Sequence, residues 1–208
     1  MNFNLFSSQT IANTNSQIVN RQYYMPIKQT IRYNTVSQVY QQPQQQIQTQ
    51  VPPENPPKKV KWGEPTWFLL HTLSVKVKDS EFKNIRIDLL NRIYAICINL
   101  PCPDCANHAK IYLDNINFNT IQTKEDLKVL LYNFHNDVNK KKGYPYFPYR
   151  ELDEKYSAAI TVNIIRNFMF HFSDRNRSLK LLAGDLQRSH LCGLLKKWFN
   201  EKISCFDK

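Results

Sequence analysis

From Trp62 to Lys142 apolar side chains return every three or four residues in four successive runs, and this period constrains the fold more than any other feature of the chain. Pro65 is placed to open a first helix on which Trp67, Leu70, His71 and Ser74 share a face. A second run, from about Phe82 to Asn99, carries Ile85, Leu89, Ile93, Ile96 and Leu100 at helical spacing. A third starts at Pro103 and sets Ala106, Ala109, Tyr112, Leu113 and Ile116 on one side, and a fourth over Lys124 to Lys142 does the same with Leu127, Leu130, Leu131, Phe134 and Val138. Short joints between four such runs read as a four-helix bundle. The scarcity of glycine agrees: only Gly63, Gly143, Gly184 and Gly193 occur, too few for a β-rich fold with many tight turns. It also leaves no GxGxxG and no GxxxxGK[ST], so a nucleotide cofactor must be held in some other way.

The regions on either side differ. Residues 1–57 are rich in Gln, Asn, Ser and Thr, contain Gln41-Gln42-Pro43-Gln44-Gln45-Gln46, and end in Pro52-Pro53-Glu54-Asn55-Pro56-Pro57. Such a segment buries too little apolar surface to offset its ordering entropy, and is expected to be a disordered tail closed by a stiff proline linker. After Lys142 the chain turns through Gly143-Tyr144-Pro145-Tyr146-Phe147-Pro148. A helix is predicted over Glu151 to Phe172, and a last helical region over Leu179 to Phe199, containing Leu186, Leu191, Leu194, Leu195 and Trp198.

The net charge of +11 is spread along the chain, with tight clusters only at Lys58-Lys59-Lys61, Lys140-Lys141-Lys142 and Lys196-Lys197. The plain reading is a soluble basic surface; the sharper one gives the middle cluster a cofactor phosphate. Nucleic acid is not the expected partner; the alternative reading is a non-enzymatic helical zinc or nucleic-acid-binding module using Cys102, Cys105 and His108. No apolar run reaches the length of a membrane span, the most apolar stretch, Ala158 to Phe172, being broken by Asn163, Arg166, Asn167 and His171. The first residues lack the charged-then-apolar pattern of a cleaved export signal, so a cytosol-like compartment is expected, where stable structural disulfides are uncommon.

The chemistry centres on five cysteines, Cys97, Cys102, Cys105, Cys192 and Cys205. Cys102-Pro103-Asp104-Cys105 is a CxxC motif. With Pro103 as first helical residue, Cys102 is the N-cap, where free backbone N–H groups and the helix dipole stabilise a thiolate. A dithiol at a helix start closes and opens with little backbone movement. Zinc sites share the spacing, and His108 extends it to Cys-x₂-Cys-x₂-His, but a closed site needs a fourth ligand from Cys97, His135 or Cys192. A thioredoxin-type fold would need βαβ units that the pattern lacks. The second constellation is His135-Asn136-Asp137-Val138-Asn139, in which His135 and Asn139 lie one turn apart beside the apolar stripe. It fits either a core-edge histidine with an amide partner or a holder for a planar heteroaromatic ring, with lysines following for phosphate. Trp67 and His71, also one turn apart, either pack in the core or stack on such a ring. Cys97, among Ile93, Ile96 and Leu100, reads as a small buried hydrophobe. Cys192 and Cys205 are either free thiols or a structural or shuttle pair.

Three segments taken together resemble the Erv/ALR family of FAD-linked sulfhydryl oxidases. Trp62-Gly63-Glu64-Pro65-Thr66-Trp67-Phe68-Leu69-Leu70-His71-Thr72 looks like its opening Gly-x-x-x-Trp-x-x-x-His helix, Leu100-Pro101-Cys102-Pro103-Asp104-Cys105 like its active-site CxxC, and His135-Asn136-Asp137-Val138-Asn139-Lys140-Lys141 like its His-Asn-x-Val-Asn cofactor helix. The likeness covers about residues 60–156. It implies an all-α architecture: a four-helix bundle with a short fifth helix over 58–156, followed by a helical C-terminal extension over 157–208.

The likeness also implies an enzyme that forms disulfides and reduces oxygen to hydrogen peroxide. Cys105 would be the cysteine next to the flavin and Cys102 the outward one that exchanges with substrate thiols. The FAD site would include Gly63, Thr66, Trp67, His71, His108, His135, Asn136, Val138, Asn139 and Lys141, with no metal. The implied partners are thiol-bearing proteins, molecular oxygen, a second copy of the chain and, since the N-terminal tail has no cysteine to act as a shuttle, a thioredoxin-like electron donor. Tyr144 stands where the family often has lysine, and Tyr149 where it often has the cysteine of a second disulfide. Asn- and Lys-rich oxidases with extra tails resemble those of large cytoplasmic DNA viruses, which would set the protein in host cytoplasm or virion.

Overall fold

The first helix, α1 (Gly63–Lys76), is buried on nearly every side: nine of its 14 residues are buried, Leu69, Leu70, His71, Thr72, Leu73 and Ser74 completely. A helix enclosed all round is a central element, not a surface one. It packs against α4 (Lys124–Lys142), α5 (Glu151–Ser157) and α6 (Thr161–Phe172), while α2 (Asp79–Ile98) pairs with α3 (Pro103–Asp114). The last helix, α7 (Leu182–Lys202), meets α2 and α6. This computed structural model describes residues 61–173 and 182–208. The N-terminal tail expected to be disordered lies outside the described residues. Among the described residues there is no strand, only an isolated antiparallel bridge between Val77 and Phe206, so the fold is all-α as the period predicts.

Local sequence sets the ends of the site-bearing helices. Thr123 and Asp126 form a reciprocal capping box at the start of α4: the Asp126 N–H donates to Thr123 Oγ1 at 3.1 Å, and the Thr123 N–H donates to Asp126 Oδ2 at 2.8 Å. Gly143 ends the helix at φ 70°, a left-handed position that favours glycine, and Tyr144 N–H returns to the Asn139 carbonyl at 2.9 Å. The second helix begins at Asp79, one turn before the predicted Phe82.

The helix expected over Glu151 to Phe172 is two helices. It breaks at Ile160, which is extended (φ −83°, ψ 106°) and exposed. The break lets the two halves serve different clusters. Leu152 and Tyr156 of α5 pack with Val75, Phe68, Tyr132 and Phe147, whereas Ile165, Phe168, Met169 and Phe172 of α6 enter the main core with α1, α2, α3, α4 and α7. A continuous helix would carry one stripe to one side and could not reach both. The Thr161 hydroxyl, donating to the Asp207 carbonyl at 2.6 Å, pins the restart.

The C-terminal helix runs to Lys202, past the predicted Phe199, and residues 179–181 lie outside the described residues. Leu191, Cys192, Leu195, Trp198 and Phe199 are core; Leu186 and Leu194 are exposed. A 3₁₀ turn, Ile203–Cys205, then lays the chain end along the α1–α2 joint, with Lys78 N–H donating to Cys205 O at 2.9 Å and Asp207 N–H to Lys76 O at 2.7 Å. Each large apolar side chain buried in this core contributes about 1.5–3 kcal/mol.

Candidate functional site: a dithiol beside an aromatic slot

Cys102 is the N-cap of α3 and Pro103 its first residue. The Cys105 N–H donates to Cys102 Sγ at 3.3 Å, and Ala106 N–H to the Cys102 carbonyl at 2.9 Å. The helix N-terminus thus acts on the sulfur of Cys102, where it favours negative charge. Both thiols are half-exposed. Burial pushes the Cys105 thiol up to about 11, the neighbouring Cys102 adds to the rise, and the Lys142 ammonium opposes it. The pair is asymmetric: Cys102 Sγ accepts a hydrogen bond from the helix end, and the Cys105 thiol is held back by partial burial.

Helices α3 and α4 run antiparallel in a register fixed by two contacts. Tyr112 lies against Phe134 with ring centroids 4.8 Å apart, and His108 Nε2 sits 2.8 Å from Asp137 Oδ2. Phe134 in turn meets the edge of Trp67 at 5.3 Å. The dithiol helix therefore reaches α1 through one aromatic ring.

Around Trp67 lies a layered group of rings. Trp67 stacks on His135 at 4.1 Å with the planes 12° apart. His135 stacks on Phe147 at 5.4 Å, and His71 stacks on Tyr156 at 4.8 Å. His71 Nε2 and His135 Nδ1 share a hydrogen bond of 2.9 Å, one ring donating to the other. Burial lowers the pKa of both histidines: that of His71 falls well below its ordinary value, helped by His135 and Lys155, and that of His135 falls to about 4, helped by Lys155. Both rings are therefore neutral at ordinary pH. His71 is completely buried, and its Nδ1 has no hydrogen-bond partner. A buried polar atom left unmet costs about 1–3 kcal/mol. Lys155 stands over the rings of Phe68, Phe147 and Tyr156 at 5.2–5.5 Å.

The other predicted site residues take varied positions. Gly63 opens α1; Thr66 is buried, and its hydroxyl donates to the Trp62 carbonyl at 2.8 Å. Val138 packs at the core margin and Asn139 is buried in the last turns of α4. Lys141 is exposed. Asn136 holds the loop that follows α4: its Nδ2 donates to the Phe147 carbonyl at 3.0 Å, and the Phe147 N–H donates to its Oδ1 at 2.8 Å. Its amide thus positions the slot's Phe147 ring. Further along that loop, Tyr149 donates to Glu125 and packs edge-on against Tyr132 at 4.9 Å. The buried Lys128 joins Glu125 at 3.1 Å and Asp153 at 2.9 Å, tying α4 to α5.

All five cysteines are unpaired. Cys97 is fully buried, and burial alone pushes its thiol up to about 12, as befits a small core residue. Cys192 and Cys205 are buried as well. His108 turns to Asp137, and among the described residues no three His, Cys, Asp or Glu side chains converge as metal ligands. A cavity of about 320 Å³ between α1 and α6 is lined by Lys61, Glu64, Pro65, Phe68, Ile164, Asn167 and His171, none of them a predicted site residue.

Phe147, Tyr156 and Lys155 are the site-region residues that the sequence reading left out. The aromatic density of Tyr144 to Tyr149 was the available signal for Phe147.

A CxxC at the N-terminus of a helix that reaches a group of neutral histidines and tryptophan through Tyr112 and Phe134 is an arrangement open to redox-dithiol chemistry. Residues 64–157 match the profile of the Erv1 / Alr family. A protein of Invertebrate iridescent virus 3, provisionally named an FAD-linked sulfhydryl oxidase, is 27% identical over 96 residues, 46% of this chain and 65% of that protein. An FAD-linked sulfhydryl oxidase of African swine fever virus is 28% identical over 103 residues, 50% of this chain and 86% of its own. The FAD-linked sulfhydryl oxidase ERV1 of Oryza sativa subsp. japonica is 29% identical over 96 residues, 45% of this chain and 48% of its own length. The match thus spans less than two thirds of the iridescent virus and rice proteins. No solved structure matches the chain. No helix among the described residues is long and apolar enough to cross a membrane.

Proposed function

We propose that this protein is an FAD-linked thiol oxidase that forms disulfides in thiol-bearing proteins and passes the electrons to oxygen, giving hydrogen peroxide. The observation that carries the reading is the α3–α4 register, which links α3, the helix that Cys102 caps, through Tyr112 and Phe134 to Trp67. The residues fit the cofactor. Trp67 and His135, here stacked on each other, are flat rings of the kind on which a planar ring system stacks, the unmet His71 Nδ1 suits a polar edge, and the exposed Lys140 and Lys141 suit phosphate. When bound, FAD supplies a two-electron acceptor that oxygen can reoxidise.

The chain's own part begins with the Cys102–Cys105 disulfide. A substrate thiolate attacks Cys102 Sγ, a mixed disulfide forms, and the S–S bond breaks with its electron pair left on Cys105 Sγ. A second substrate thiol displaces Cys102, releasing the oxidised substrate and a dithiol that carries two electrons. His71 and His135 are neutral, and so add no positive charge of their own beside the Lys155 ammonium. Over the whole cycle two thiols and one oxygen become one disulfide and one hydrogen peroxide.

Cys102 meets the substrate because the helix end favours thiolate there, and Cys105 faces the cofactor. Cys192 and Cys205 are buried, so a separate thioredoxin-like donor delivers the electrons, and the working form is a homodimer. The viral relatives support a place in host cytoplasm or virion. Oxygen uptake by the purified full chain with dithiothreitol tests this reading. Uptake that is lost in Cys105→Ser while the protein keeps its bound flavin is expected; no uptake even with added FAD would reject it.

A further inference from the structure

Helix α4 carries Lys128, Tyr132 and Asn136 one turn apart on one face, and each holds a different point of the chain that returns after Gly143. Asn136 bonds both backbone groups of Phe147, at 3.0 and 2.8 Å. The Tyr132 hydroxyl meets that of Tyr146, and its ring packs edge-on against Tyr149 at 4.9 Å. The Lys128 ammonium stands over the Tyr149 ring, 5.9 Å from its centroid, and pairs with Glu125 of its own helix at 3.1 Å and with Asp153 of α5 at 2.9 Å. The lysine side chain is 8% exposed, against 59% for Glu125 and 65% for Asp153. A buried ammonium is tolerated only when it is paired, so Lys128 draws two otherwise solvated carboxylates, and α5 with one of them, to a fixed place.

Two walls of the histidine slot hang on the segment held in this way. Phe147, two residues before Tyr149, stacks on His135 at 5.4 Å, and Tyr156, three residues after Asp153, stacks on His71 at 4.8 Å. We propose that Lys128 is a positioning residue of the cofactor slot: by pinning Tyr149 and Asp153 it holds Phe147 against His135 and Tyr156 against His71. The inference rests on the reading of this slot as the flavin site. Lys128 acts through the loop and α5, so that the rings are already in place and less order is lost when a planar ligand binds. Replacing the lysine by methionine leaves Glu125 and Asp153 in solvent, strands no buried charge, and keeps the fold.

The test compares the full chain with Lys128→Met and Lys128→Arg by two quantities read without turnover. One is the NMR titration midpoint of the His135 ring; the other is the loss of bound FAD on serial dilution, followed by free-flavin fluorescence. The groups that face His135 are His71 from α1 and Lys155 from α5, and neither variant alters them. Burial, with Lys155, lowers the His135 midpoint to about 4 in the parent. In Lys128→Met, Phe147 lifts away and water reaches the ring, so the midpoint is expected to rise by about 1 unit or more. FAD is expected to bind about tenfold more weakly or worse in that variant. Lys128→Arg keeps the charge and both carboxylate partners, and is expected to stay near the parent in both. With a parent that binds FAD, either quantity unchanged in Lys128→Met overturns the proposal, even where the variant is less stable, since a tie that is structural alone moves stability without moving the slot. If Lys128→Met does not fold, Asp153→Ala, which alters one exposed carboxylate, is read in its place; shifts in the same directions are expected, and parent-like values overturn the proposal. A parent that binds no FAD, with a His135 midpoint that still moves in Lys128→Met, would sink the flavin reading and leave Lys128 supported as the residue that sets Phe147.

Discussion

The α3–α4 edge and the α6–α7 layer share one core but are built from opposite materials. At the edge, Cys102, Cys105, His108 and Asp137 are half-exposed and polar, and even the buried members of the slot behind it, His71 and Asn136, carry hydrogen-bonding atoms. In the layer, Ile165, Phe168, Met169, Phe172, Leu195 and Phe199 are buried hydrocarbon. The polar edge gives up packing energy to place reactive sulfur near a ring slot. The layer returns it, covering the flank of α1 that the edge and α5 leave open. Two of the relatives are matched over less than two thirds of their length, and the layer lies beyond the family match at residue 157.

If that division is right, substitutions on the two sides separate stability from redox chemistry. The largest stability effect belongs to the layer: Phe168→Ala should cost about 3–5 kcal/mol in thermal or denaturant unfolding. Cys102→Ser and Cys105→Ser, by contrast, should move stability by only about 0.5 kcal/mol while removing thiol oxidation.

Next comes the slot's dependence on pH. The folded-state pKa of His135 is lowered from 6.5 to about 4, and that of His71 is lowered too, so the unfolded chain binds more protons between these values. The His135 contribution is full above pH 6.5, falls as pH drops toward 4, and is gone below it, a loss on the order of 3 kcal/mol, and His71 acts in the same direction. Urea unfolding across that range should show the decline in the parent and a flatter profile in His135→Gln.

A smaller effect is expected for Asn136→Ala, which unties the Phe147 backbone at both hydrogen bonds. About 2 kcal/mol of stability should be lost, with faster amide exchange confined to the loop after α4. The smallest is Thr123→Ala, at about 1 kcal/mol, because only the cap of α4 is lost and neither side of the comparison is touched.

Much of this was legible in the chain. Period and proline placement located α1 through α4, because each carries a simple stripe or a cap that local chemistry dictates. Pro103 and the CxxC spacing gave the N-cap position of Cys102 for the same reason. What escaped depended on contacts distant in sequence. The break at Ile160 is decided by two clusters competing for α5 and α6, and local propensity does not register that competition. Asn136 carries the residue type of a ligand-binding amide, yet its hydrogen bonds go to the backbone of Phe147, eleven residues on.

The central claim is that Cys105 hands electrons from the dithiol to a flavin bound at the Trp67–His135 slot. The most direct measurement is the visible absorption of the purified protein under anaerobic dithiothreitol, in the parent and in Cys105→Ser. The account predicts a yellow protein whose flavin band bleaches rapidly in the parent and persists in the variant. A protein that stays colourless after incubation with FAD, or a flavin that bleaches equally fast without Cys105, would contradict it.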